Sequence, residues 1–230
     1  LFIKVCAAVE YAHSNLVIHR DLKPVNILIG ASGEPKLLDF GIAKLLDADA
    51  GKTRAATATR AMTLAYASPE QIEGKRLGTA SDIYSLGIVL YELLAGVRPF
   101  DHLDTDHARS NAIVSGDVAP PSAIQRRLIT HARQPASTSR IPADLDAIVM
   151  KALRREPSQR YASVAELADD LRAFLASRPV QAMRGRTGYR MRRFAWRNRW
   201  ALGVTVLVLA LASAFTWRTV LAEREARAQA

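Results

Sequence analysis

Between Thr79 and Gly96 the chain is apolar on nearly every side, with Ile83, Leu86, Ile88, Val89, Leu90, Leu93 and Leu94 spread around a helical period. A helix without a polar face has to be covered all round, so this segment predicts a buried central helix, and the elements packed on it must be largely helical too. Thr79 and Asp82 serve as its start signal and Gly96 as its stop. The length of 230 residues allows one sizeable core plus an appendage.

The segment Leu1–Ser14 repeats apolar residues at Leu1, Val5, Ala8, Val9 and Ala12, one face of an amphipathic helix. Asn26–Ile29 and Pro35–Leu38 are β-rich runs around the turn-forming Gly30–Glu34 and predict a hairpin. In an antiparallel pair the first residue of one strand and the last of the other share an end, which makes Asn26 and Asp39 neighbours. Further helices are expected over 145–153 and 164–175. The second opens on Ser163 and Glu166 as a capping box and buries Val164, Leu167, Leu171, Phe174 and Leu175. Residues 46–60 carry no periodicity and read as a long loop, and 119–142 as a Pro/Ser-rich loop with one short helical stretch. Cys6, the single cysteine, reads as a buried helix position and allows no internal disulfide.

The basic charge is local. Residues 181–230 hold ten Arg against Glu223 and Glu225, a net +8, so the first 180 carry +2 of the total +10. Eighteen residues, 200–217, lack any charge; as a helix they measure about 27 Å, close to a bilayer core. Trp196, Trp200 and Trp217 lie at or near their ends, and seven arginines between Arg184 and Arg199 precede them. The expected partner of this excess is an anionic membrane surface rather than nucleic acid, with one spanning helix. Arg218, Arg224 and Arg227 are the fewer arginines beyond it, which places the N-terminal side in the cytosol and the C-terminus outside.

His19-Arg20-Asp21-Leu22-Lys23-Pro24-Val25-Asn26, followed by Asp39-Phe40-Gly41 and by Ser68-Pro69-Glu70, resembles the catalytic loop, magnesium loop and activation-segment end of bacterial eukaryotic-type serine/threonine protein kinases. The resemblance runs from Leu1 to about Arg178. It implies a mainly α (α+β) fold, a kinase C-terminal lobe with a small β-hairpin at the catalytic loop, followed by a single transmembrane helix. The expected organisation is an incomplete kinase domain over 1–178, a basic linker over 179–199, the membrane helix over 200–217 and the start of an extracytoplasmic helical tail over 218–230. No Gly-rich loop or Val-Ala-Ile-Lys lysine precedes the catalytic loop, so the chain reads as a piece of a longer, membrane-anchored kinase, weak or inactive alone.

The resemblance also implies roles. Asp21 accepts the proton of a protein Ser/Thr hydroxyl, and Lys23 meets the transferring phosphate. Asn26 and Asp39 ligate the Mg2+ of ATP, and Leu28 lies beneath the adenine. His19 and Phe40 belong to a regulatory spine, Asp82 anchors the catalytic loop's backbone, and Glu70 and Arg160 form a buried ion pair. Arg20 before Asp21 fits activation by loop phosphorylation, with Thr53, Thr57 and Thr59 as autophosphorylation candidates. Thr63 matches the threonine near the catalytic Asp and Lys, although Met62 stands where the family usually has Gly. The competing expectation is a membrane-tethered pseudokinase or scaffold, against which Asp21, Lys23, Asn26 and Asp39 count. His102 and His107, in an Asp-rich run, read as solvated loop charge rather than metal ligands.

Overall fold

The structure, a computed structural model, describes residues 1–40, 64–131, 140–183 and Trp217. Thr53, Thr57, Thr59, Thr63 and residues 200–216 of the expected membrane helix lie outside the described residues. The chain divides into two compact units, Leu1–Ala176 with Val180–Met183, and Ser177–Pro179 with Arg184–Ala230.

The first unit contains α1 (Phe2–Ser14), β1 (Ile27–Ile29), β2 (Pro35–Leu37), α2 (Pro69–Ile72), α3 (Thr79–Ala95), α4 (Asp106–Ser115), α5 (Pro121–His131), α6 (Ala143–Ala152) and α7 (Val164–Leu175). No helix among the described residues is long and apolar enough to cross a membrane.

α3 is the hub: α1, α5 and α6 pack on it, and α7 packs on α1 and α6. Ile83, Leu86 and Tyr91 are wholly buried, each such side chain contributing about 1.5–3 kcal/mol of apolar transfer. Contact with α6 is close enough to require glycine. A Cβ at Gly87 would stand 2.9 Å from both Ala152 Cβ and Leu153 Cδ2. Gly96 ends α3 in the left-handed conformation, φ +76°, as a stop glycine does. Two expectations are corrected by the structure. Leu93 is 67% exposed, because it sits on a strip of α3 that the described neighbours leave uncovered. Gly78 rather than Thr79 occupies the N-cap, and Asp82 turns away from the helix end to bond elsewhere.

The two-stranded sheet is antiparallel, with Ile27 opposite Leu37 and Ile29 opposite Pro35. The Asn26 C=O accepts from the Leu38 N–H at 2.9 Å, so the ladder closes one residue before Asp39. A Lys4–Glu34 ion pair ties α1 to the hairpin turn.

Ser163 caps α7 by accepting from the Glu166 N–H at 3.2 Å, but the Glu166 carboxylate accepts from Ala162, not from Ser163, so the box is not reciprocal. Val164, Leu167 and Leu171 are buried as the pattern predicts, whereas Phe174 is half-buried and Leu175 exposed because the last turn of α7 runs past its partners. The polar segment around His107 is helical, not a loop: Thr105 caps α4 by accepting from the Ala108 N–H at 3.2 Å. Beyond α7, the buried Asp170 carboxylate accepts from the N–H groups of Gln181, at 2.5 Å, and Ala182, at 2.8 Å, and from Tyr161 Oη. These bonds hold Val180–Met183 against the helical body.

Candidate active site

The site is built outward from the first turn of α3. Asp82 is fully buried. Its Oδ2 accepts from the His19 N–H and its Oδ1 from the Arg20 N–H, both at 2.8 Å, and His13 Nε2 lies 2.8 Å from Oδ2. A buried carboxylate needs such donors. Two of them come from backbone, so the Asp82 side chain fixes the path of the loop between α1 and β1. Arg20 takes φ +67° there, in the left-handed region.

That path presents Asp21. Lys23 Nζ pairs with Asp21 Oδ2 at 2.9 Å, in a partly shielded position. Asn26, in a 3-10 turn opened by Pro24, donates its Nδ2 to the Asp21 C=O at 2.8 Å and to Asp21 Oδ2 at 3.2 Å. Spending Nδ2 on Asp21 orients the amide, and Oδ1 is the end left for a cation. Asp39, φ +48°, follows directly on the Leu38 that closes the hairpin against Asn26. An amide oxygen and a carboxylate are hard donors of the kind magnesium takes when water and phosphate complete its shell. Among the described residues no group of three His, Cys, Asp or Glu stands ready to hold a metal alone.

The His19 and Phe40 rings stack with centroids 4.6 Å apart and planes tilted by 34°. Burial is the largest influence on the His19 imidazole and pushes its pKa down, against the opposing pull of Asp82. Leu28 is 52% exposed on the hairpin, an apolar surface open to a ligand or another part of the protein. A groove of about 1000 Å³ is lined by Tyr11, Leu16, Ile18, Arg20, Lys36 and Phe40, among others. None of the described carboxylates lines it.

Glu70 and Arg160 are joined by two parallel bonds of 2.7 Å, Nη1 to Oε1 and Nη2 to Oε2. The other three guanidinium N–H groups go to the carbonyls of Ala80, Arg154 and Arg155, so all five donors are used. Ser81 Oγ donates to Glu70 Oε1 at 2.7 Å. Burial alone would raise the Glu70 pKa, but the bonds from Arg160 and Ser81 outweigh it and hold the carboxyl below its usual range. Nearby, Tyr66 Oη donates to Glu92 at 2.5 Å, and the Tyr66 C=O accepts from Ser85 Oγ at 2.8 Å.

Three participants were not foreseen. His13 reaches Asp82 across 69 positions, and nothing local marks it. Ser81, in the first turn of α3, reaches Glu70 across 11 positions without a local signal. Gln71 had a readable signal, since Ser68-Pro69-Glu70-Gln71 is a capping-box sequence: Ser68 Oγ accepts from the Gln71 N–H at 3.4 Å, and Gln71 Oε1 accepts from the Ser68 N–H at 2.8 Å.

Comparison with known proteins gives the same outline. The sequence profile of the protein kinase domain matches residues 1–171. Serine/threonine-protein kinase PknB of Mycobacterium tuberculosis is 42% identical over 166 residues, which are 72% of this chain and 24% of that protein. PknB of Mycobacterium leprae is 40% identical over 177 residues, 77% of this chain and 26% of that protein. A probable serine/threonine-protein kinase of Streptomyces coelicolor is 37% identical over 180 residues, 78% and 24%. The chain thus spans about a quarter of the length of the curated relatives it matches.

Proposed function

The chain belongs to the protein kinase family, and on that premise we propose that it carries the phosphotransfer centre of a serine/threonine protein kinase. The observation that supports this best is the Asp21 carboxylate, held by Lys23 at 2.9 Å and Asn26 at 3.2 Å and partly shielded from water.

In this reading Asp21 orients a Ser or Thr hydroxyl and takes its proton as the new O–P bond forms and the bond between the β- and γ-phosphates of ATP breaks. Lys23 offsets the charge gathered on the transferring group. Asn26 Oδ1 and the Asp39 carboxylate are the groups that would hold Mg2+, which supplies positive charge at the nucleotide phosphates. Leu28 offers an apolar floor to the adenine. His19 and Phe40 support the loop from behind, and Asp82, Glu70 and Arg160 keep it in shape. Arg20, Thr53, Thr57, Thr59 and Thr63 form the regulatory and substrate-facing set.

The substrates are proteins bearing Ser or Thr, this protein among them. The uncharged run 200–217 is a single-pass anchor in the plasma or inner membrane, the arginines between Arg184 and Arg199 rest on anionic lipid, and the kinase side faces the cytosol. The test is steady-state transfer from ATP to a Ser/Thr peptide by the full-length gene product. Transfer that needs magnesium and falls about 10²–10⁴-fold in Asp21→Asn is the expected result; transfer equal in both proteins would remove Asp21 from the role.

A further inference from the structure

The peptide unit joining Arg20 to Asp21 is the last rigid plane before the proton-accepting side chain. It follows an Arg20 α-carbon in the left-handed region, φ +67°, a conformation that is unfavourable for an L-residue and persists only where neighbours enforce it. The preceding peptide is enforced by Asp82, which accepts the Arg20 N–H at 2.8 Å. In the Arg20–Asp21 peptide itself, the N–H makes a long 3.4 Å bond to His19 Nδ1. Its C=O accepts a short 2.7 Å bond from Gln71 Nε2, on α2 and 51 positions away.

Gln71 is placed for this by its own part in the Ser68 cap. Its Oε1 is committed to the Ser68 N–H at 2.8 Å and lies 3.2 Å from Ser68 Oγ, so the amide is held at both ends and its donor side points at the loop. The adjoining Glu70 is fixed by Arg160, and α2 therefore offers a firm base from which to hold the loop.

We propose that Gln71 is a positioning residue for phosphoryl transfer, fixing the peptide plane that leads into Asp21 and linking the Ser68–Gln71 cap to the proton acceptor. The inference rests on the kinase reading above. Displacement of a catalytic group by about 1 Å can cost on the order of 10²-fold in rate, so one well-placed amide has leverage.

Gln71→Glu separates the clamp from the cap in the full-length gene product. The carboxylate still accepts from the Ser68 N–H, as a Ser-x-x-Glu box does, but it sets an acceptor against the Arg20 C=O. The expected result is a kcat for a Ser/Thr peptide about 10–100-fold lower, with KM for ATP little changed, and faster amide exchange at Arg20 and Asp21 but not at Ser68. Gln71→Glu with the parent's kcat would overturn the proposal, as would a lower kcat with exchange at Arg20 and Asp21 unchanged. A parent that transfers no phosphate overturns the kinase reading and this inference together; it is told apart from failure of the clamp alone because the clamp's failure leaves the parent active.

Discussion

Arg160 and Glu70, 90 positions apart, meet through two 2.7 Å bonds with both side chains almost wholly out of water. The pair closes the segment ending at α2 onto the body that carries α6 and α7. Removing one partner strands a buried charge, so Arg160→Met is expected to lower stability by about 3–5 kcal/mol in urea denaturation. Replacing both, Arg160→Met with Glu70→Leu, should recover part of that loss. A single substitution that costs less than about 1 kcal/mol would show the pair to be solvated.

Acid should weaken the fold in two steps. The His19 pKa is lowered from 6.5 by burial, so the native state binds fewer protons there than the unfolded chain; that contribution is complete above pH 6.5 and is lost as pH falls through the folded value. Glu70 is lowered from 4.5 by the bonds that outweigh its burial, so its contribution is complete above pH 4.5 and disappears further into acid. Denaturation midpoints followed from pH 8 downward should fall with decreasing pH, and the acid limb below 4.5 should flatten in Glu70→Gln. A midpoint that rises on acidification would contradict both assignments.

Gly87→Ala sets two effects against each other. Helix propensity favours Ala by about 1 kcal/mol. The new methyl would stand 2.9 Å from Ala152 Cβ, which cannot swing aside, and from Leu153 Cδ2; overpacking of this kind costs about 1–3 kcal/mol. Packing should win by a small margin, with net destabilisation read as a lower thermal midpoint. A stabilised variant would mean that α3 and α6 move apart freely.

Membrane attachment has its own test. Leu207→Arg together with Leu209→Arg puts two charges in the uncharged run, each costing about 2.5–3.5 kcal/mol at a helix centre. The parent should resist alkaline extraction from the membrane fraction and the double variant should not. Equal extraction of both would remove the anchor from the account.

Legibility followed the range of the interactions. Helix α3 was readable because its apolar residues fill every side of a local repeat, and the hairpin because two β-rich runs and their turn lie within about a dozen positions. Leu93 and Leu175 depart from the apolar pattern because composition cannot say which strip of a helix finds no partner. Helix α4 was hidden by its polar sequence; it is stabilised by the Thr105 cap and by burial of Ile113 rather than by an apolar stripe. In the site, Asp21, Lys23 and Asn26 stand within five positions, so their contact with one another was readable in the motif. His13 and Gln71 escaped because their bonds to Asp82 and Arg20 cross 69 and 51 positions, and only folding brings them together.

The most direct measurement is mass spectrometry of the full-length gene product after incubation with Mg-ATP, comparing the parent with Asp21→Asn. Phosphate on Thr53, Thr57, Thr59 or an added Ser/Thr substrate in the parent and not in the variant is the predicted result. Absence of phosphate from both proteins and from the substrate would contradict the account and favour a membrane-tethered pseudokinase.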